Sequence, residues 1–218
     1  MQKITELILN KCKTDYFSST FLEMIMNNDS NDSRYGIIKR AIQNKELVRI
    51  RRGLYILGDK YRRFQISEKV LSVHIYTPSY VSFESALSIY GIIPDITQNI
   101  VAASFSRSKT FKTKVGIYKY ISIPVEPFYF GVKRQLNNSG DPFLLASLER
   151  AFCDFVYMRK LKWKDLSLLT VGFRFDEDQL KIIDLPLLQK ISTCYPKKFV
   201  RIFVENFIRK IKETWDVI

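Results

Sequence analysis

Residues 34–56 read Arg-Tyr-Gly-Ile-Ile-Lys-Arg-Ala-Ile-Gln-Asn-Lys-Glu-Leu-Val-Arg-Ile-Arg-Arg-Gly-Leu-Tyr-Ile, and the hydrophobic period changes inside this stretch. Tyr35, Ile38, Ala41 and Ile42 recur at helical spacing. The other face of that helix carries Arg34, Lys39, Arg40, Gln43 and Asn44. From Leu47 on, Leu47, Val48, Ile50, Leu54, Tyr55 and Ile56 favour strands. Arg51, Arg52 and Gly53 interrupt them as a hairpin tip, with Gly53 free to take positive φ.

Two further helices precede this unit. Ile4, Leu7, Ile8 and Cys12 give an amphipathic stripe over Thr5 to Lys13. Thr20 and Glu23 stand three apart before Leu22, Met24 and Ile25, the spacing of a capping box. The stretch 27–33 (NNDSNDS) is a turn with several candidate N-caps. Three short helices followed by a hairpin with a cationic tip is the layout of a winged helix-turn-helix, here over residues 1–62. In that layout the third helix enters the major groove. Arg, Lys, Asn and Gln on it can read base edges, and the hairpin tip reaches phosphates or the minor groove. The candidate DNA-binding residues are therefore Arg34, Lys39, Arg40, Gln43, Asn44, Arg49, Arg51 and Arg52. A merely solvated basic face is the plainer reading. The coincidence of the patch with this order of elements favours DNA.

Residues 63–218 read as a mixed α/β domain, which makes the whole chain α+β. Helices are expected over Phe64 to Val73, from Ser82 (or Ser85) to Tyr90, from Asp141-Pro142 onward, over Leu161 to Val171, Asp176 to Leu188 and Lys197 to Trp215. Strands are expected over Asn99 to Ser106, Gly116 to Val125 and Phe128 to Val132, with a polar connection between the first two. Leu145, Leu148, Phe152, Phe155 and Val156 form one buried stripe. Asp154 falls close to it and needs a partner if buried.

Lys plus Arg number 35 against 22 acids, a net charge of +13, with a sequence pI near 9.6. Such a balance points to a polyanion, nucleic acid or an anionic membrane surface. The excess is local. Arg34 to Arg63 holds ten bases against Glu46 and Asp59, and Ser104 to Arg134 holds seven against Glu126, whereas Val70 to Ala103 has no Lys or Arg. Within the second block Arg107, Lys109, Lys112 and Lys114 form a second candidate surface for nucleic acid or a protein partner. Phe105, Phe111 and Tyr118 interleave with these bases, as in a stacking platform, although such aromatics more often face a sheet core.

The longest stretch free of acids, Lys and Arg is Val70 to Phe83. It contains His74 and Pro78, so no membrane span is expected. Lys3, Glu6, Lys11 and Lys13 break any apolar leader. Cys12, Cys153 and Cys194 are odd in number and far apart, which suits a reducing cytoplasm. One histidine and no close Cys pair leave no common zinc spacing. There is no Gly-rich phosphate loop. His74 in an apolar run reads as packed or capping, and Cys153 and Cys194, on apolar stripes, as buried structural thiols. Asp176, Glu177 and Asp178 invite a metal reading, but acids at a helix start favour the dipole without further assumption. No catalytic residue, cofactor or metal is expected.

Two later blocks carry a resemblance. Arg52-Gly53-Leu54-Tyr55 is followed by Tyr80-Val81-Ser82-Phe83-Glu84-Ser85-Ala86-Leu87 and Tyr90-Gly91, then by Ala146-Ser147-Leu148-Glu149-Arg150-Ala151 and Asp154. The order resembles the AbiEi-type antitoxins of bacterial abortive-infection toxin–antitoxin pairs, over roughly residues 5 to 160. The resemblance implies a winged helix that binds inverted repeats and represses its own operon. It also implies a C-terminal domain that neutralises a nucleotidyltransferase-like toxin, and it carries over no catalytic residues. The blocks around Ser85 and Glu149 read as fold-defining packing. A stand-alone winged-helix regulator with a ligand-sensing C-terminal domain is the alternative, and a metal-dependent nuclease using Asp176 or Asp178 a third.

Overall fold

The computed structural model describes residues 2–27, 29–94 and 99–215. Asn28, inside the turn expected over 27–33, and Asp95 lie outside the described residues. The chain is α+β. It opens with α1 (Lys3–Lys11), β1 (Tyr16–Ser18), α2 (Ser19–Ile25), α3 (Asn31–Gln43), β2 (Leu47–Arg51) and β3 (Leu54–Leu57). These strands form an antiparallel sheet in the order β1-β3-β2. Ser18 caps α2, its hydroxyl accepting from the Phe21 N–H, in place of the expected Thr20–Glu23 box. The strand ends at Ser18, so this residue already has the extended backbone that a cap requires. Ser30 caps α3.

Gly53 turns the hairpin at φ +83°. Gly58 is needed for a close approach, since a Cβ there would lie 1.9 Å from the Lys45 carbonyl oxygen. A small core gathers Ile4, Ile8, Phe17, Leu22, Ala41, Leu47 and Leu57. Ile50, Leu54 and Ile56 of the same hairpin pack instead into the large core of the following residues.

That second part comprises α4 (Glu68–Ile75), β4 (Ser79–Val81), α5 (Phe83–Ile89), β5 (Asn99–Ser104), β6 (Lys109–Thr113), β7 (Gly116–Ser122), β8 (Val132–Leu136), β9 (Pro142–Ala146), α6 (Leu148–Arg159), α7 (Ser167–Thr170), α8 (Glu177–Leu180), α9 (Leu185–Ser192) and α10 (Lys198–Trp215). Its sheet is mixed, in the order β6-β7-β5-β4-β9-β8, with β4–β9 and β5–β7 parallel.

The structure departs from the expected elements at several places. Pro142 opens strand β9 rather than a helix, a position where its missing N–H is tolerated. Alternate residues Phe143 and Leu145 are buried, and the helix starts only after Ser147, which accepts from the Arg150 N–H. The connection over Lys109–Thr113 is strand β6. The strand expected over Phe128 to Val132 is a turn that leads into β8. Helix α4 starts at Glu68, behind its cap Ser67, rather than at Phe64. The helix expected over Leu161 to Val171 shrinks to α7. The next one divides into α8 and α9, with Asp184 capping the second.

One polar cluster lies inside the large core. Arg150 and Asp154, a turn apart on α6, are both fully buried and pair at 3.2 Å. Asp154 also accepts from Tyr80 Oη (3.0 Å), Ser82 Oγ (2.7 Å) and Tyr195 Oη. Arg150 donates to Tyr80 Oη (2.6 Å) and to the Phe130 carbonyl (2.9 Å). Burial alone would discharge the guanidinium, but the Asp154 carboxylate outweighs it and keeps Arg150 charged. Burial first, and the same carboxylate second, push the Tyr80 and Tyr195 phenols well above their ordinary range.

The small core has its own buried acid. Glu46 accepts from Thr5 Oγ1 (2.5 Å) and from the Gln2 N–H (2.9 Å), at the start of α1. Burial would raise its pKa, but these two hydrogen bonds prevail and lower it.

Arg150→Met strands a buried carboxylate and is expected to cost about 3–5 kcal/mol in urea unfolding. Combining it with Asp154→Leu should cost clearly less than the sum of the two single changes, because the partners are coupled. Strict additivity would show that they are not. Glu46→Gln should lose about 1–2 kcal/mol at pH 7. The Glu46 pKa is depressed in the folded state, so its contribution is complete above the unfolded value near 4.5 and fades as pH falls through the folded one. Wild type and variant should therefore converge in stability at acid pH, and a constant gap down to pH 2 would contradict the assignment.

Candidate nucleic-acid interface

Helix α3 is held by Ile38 and Ile42, which pack on the small core, and by Ala41, which is fully buried. The opposite stripe, Asp32, Tyr35, Lys39 and Gln43, is exposed, and Tyr35 is 71% accessible. Helical spacing sets Tyr35 one turn from Lys39, so it belongs to the solvent stripe rather than to the apolar repeat. Arg40 lies to one side and faces a groove shared with α1. Arg34 is half-buried, and its Nε is buried with no hydrogen-bond partner among the described residues. Asn44 caps the helix, its N–H donating to the Arg40 and Ile42 carbonyls.

On the hairpin, Arg49 projects from mid-strand opposite Tyr55 and is exposed. Arg52 is exposed at the tip. Arg51 is tethered, because its guanidinium donates to the Arg52 carbonyl (3.0 Å) and to the His74 carbonyl at the end of α4 (3.4 Å). The Gly53 carbonyl accepts from the Ser19 N–H, which fixes the tip against the start of α2.

Among the described residues Lys39, Arg40, Arg49 and Arg52 form no ion pair. The structure thus brings Lys39 and Gln43 onto one helix stripe and leaves Arg49 and Arg52 free on the hairpin. It turns Arg34 inward and ties down Arg51.

Two other bases of the first block are engaged in structure. Arg63 donates from Nε to Asp15 (2.9 Å) and from its terminal nitrogens to the Cys12 and Thr14 carbonyls. Arg62 pairs with Asp59 and donates to the Leu57 carbonyl.

The second basic block is divided. Lys109 sits over the Phe111 ring at 5.0 Å. Lys112 and Lys119 occupy the other face of the β6–β7 pair, with Thr110 and Ile117. Arg107 and Lys114 are exposed on either side of β6, and Tyr76 Oη donates to the Arg107 carbonyl. Tyr118 is buried, and Phe111 packs against Tyr76 and Tyr120, so these aromatics face the core. Phe105 is 57% exposed, with its ring edge-on to Phe128. Strand β6 is a sheet edge, and lysines on an edge deter pairing with other chains.

His74 is exposed, with its ring 4.9 Å from Tyr16. Cys153 is buried, whereas Cys12 and Cys194 are partly exposed, and all three are free thiols. Asp176 caps α8 by accepting from the Asp178 and Gln179 N–H groups, and Asp178 pairs with Lys181 at 2.6 Å. Among the described residues no three His, Cys, Asp or Glu side chains are placed to hold a metal ion, and no helix is long and apolar enough to cross a membrane.

Comparison with protein-family models and with curated proteins found no match to this chain.

Among the described residues Tyr118 Oη is buried without a hydrogen-bond partner. Tyr118→Phe should therefore leave urea stability unchanged or raise it by up to about 1 kcal/mol. A loss larger than that would reveal a hidden partner for the hydroxyl.

Proposed function

We propose that residues 1–62 form a winged helix-turn-helix that reads operator DNA, and that the chain is an AbiEi-type antitoxin acting in the cytoplasm. In this reading it represses its own operon from inverted repeats and neutralises a nucleotidyltransferase-like toxin through residues 63–218. No reaction is assigned to it. The observation that carries the DNA reading is the order α1-β1-α2-α3-β2-β3, with an exposed Lys39–Gln43 stripe and the unpaired hairpin cations Arg49 and Arg52. The antitoxin reading rests on the resemblance. It is supported by where the shared blocks lie: Tyr80, Ser82, Arg150 and Asp154 meet in one buried network, and Tyr90 Oη donates to the Ala146 carbonyl, joining the two blocks. Such residues define a fold rather than a catalytic centre.

A second reading, a ligand-responsive regulator, has one observation in its favour. A cavity of about 640 Å³ opens between the start of α4, the end of α5 and the β8–β9 hairpin, lined by Gln65, Tyr90, Gln135 and Phe143 among others. That volume is within the usual range for small-molecule sites, about 300–1,000 Å³.

The test is a gel-shift titration of the full chain against its own upstream DNA and a scrambled duplex, at two salt concentrations. Selective, salt-sensitive binding is expected. Arg49→Ala and Arg52→Ala should weaken binding to all sequences and flatten the salt slope by about 1 each. Gln43→Ala should relax preference at one base pair, at about 1–3 kcal/mol. Equal binding to both duplexes overturns operator reading. Failure of the chain to rescue cells that express a neighbouring nucleotidyltransferase-like protein overturns the antitoxin reading.

A further inference from the structure

Helix α1 carries Lys3, Leu7 and Lys11 one turn apart along a single face. That face lines a groove of about 490 Å³ whose other wall is α3, through Ile37 and Arg40. Ile4 lies in its floor and is almost fully buried, while Leu7 and Ile37 are half-buried. Apolar surface therefore occupies the middle of the groove and three cations its rim. Among the described residues none of the three is in an ion pair, and Asp29 is the one carboxylate of the described lining.

We infer that this groove is a binding site for an amphipathic carboxylate, an acyl chain whose apolar part lies on Leu7 and Ile37 and whose anionic head meets Arg40 and one of the two α1 lysines. The two halves of the lining ask for both properties in one ligand. A bare phosphate would leave the apolar floor wet, and a neutral alcohol would leave the cations without a counter-charge. The cationic rim disfavours a second apolar protein surface.

The site has a consequence that rests on the DNA reading above. Arg40 stands between the groove and the exposed stripe of α3, so a bound carboxylate would draw its charge away from DNA and weaken operator affinity.

The experiment is isothermal titration of the full chain with sodium octanoate, beside inorganic phosphate and 1-octanol. Saturable binding of one octanoate per chain is expected, at least about tenfold tighter than either control. Arg40→Gln and Leu7→Gln should each weaken it about fivefold or more, whereas Lys119→Gln, the same charge change elsewhere, should leave it unchanged. Arg40 is exposed, so its variant keeps the test valid even if Leu7→Gln perturbs folding. Absence of saturable binding, phosphate or octanol binding as well as octanoate, or indifference to Arg40→Gln each overturns the site. The titration needs no DNA, so failed operator binding would remove the proposed regulation and leave the site standing. Octanoate that binds without lowering operator affinity would remove the regulation alone.

Discussion

Arg150 is the largest fully buried side chain among the described residues, and a buried guanidinium stays there only if its nitrogens find acceptors. The match comes from across the fold: Tyr80 from β4, the Phe130 carbonyl before β8, and Asp154 on its own helix, which Ser82 and Tyr195 also bond. The central strand β4, helix α6 and the turn after α9 are therefore fixed relative to one another by directional bonds, on top of hydrophobic packing that specifies volume but not orientation. The rings of Tyr80 and Tyr195 lie 5.4 and 5.6 Å from the guanidinium carbon, so they enclose the charge as well as bond to it. Such a cluster has little tolerance for partial loss, because each partner removed leaves another polar group stranded.

The same economy joins the two halves of the chain. Asp15, buried in the α1–β1 loop, accepts the Arg63 and Phe64 N–H groups as well as the Arg63 side chain, so the segment after β3 is clamped back onto the first unit. Tyr16 of β1 touches His74 of α4, and its hydroxyl, with a pKa pushed up to about 12 by burial and then by Asp141, faces the start of β9. Arg51 bonds the last turn of α4, where carbonyls carry partial negative charge. The hairpin is thus built into the junction between the halves, with its apolar side in the large core and its cations outside. A change in α4 would be felt at the hairpin through these contacts.

How much of this was legible depended on sequence distance. The change of period between Gln43 and Leu47 is local, and it placed α3 and the β2–β3 hairpin correctly. The need of Asp154 for a partner was visible from the apolar stripe around it. Its partners Tyr80, Ser82 and Tyr195 lie 74, 72 and 41 residues away, beyond any spacing rule. Strand β9 was misread because Leu145, Leu148 and Phe152 keep a helical phase across Ser147, although the backbone changes there. At the candidate interface Lys39, Gln43, Arg49 and Arg52 are exposed as their spacing implied. Arg34 faces inward, and Arg51, Arg62 and Arg63 serve as clamps, because neighbouring carbonyls and carboxylates far along the chain claim them.

This division shows what a net charge of +13 does and does not imply. Several arginines are held in fixed geometry, bonding carbonyls and carboxylates through their planar fork, as with Arg63 on Asp15 and Arg150 on Asp154. The lysines of β6 stay solvated on a sheet edge, where a mobile charge is enough to discourage strand pairing. Only cations that are neither clamped nor guarding an edge are free to bind a polyanion. In the first unit these include Lys39, Arg49 and Arg52 on the exposed side, with Lys3, Lys11 and Arg40 around the groove behind it. Arg40, at the boundary between the two groups, is the residue through which occupancy of one can alter the other.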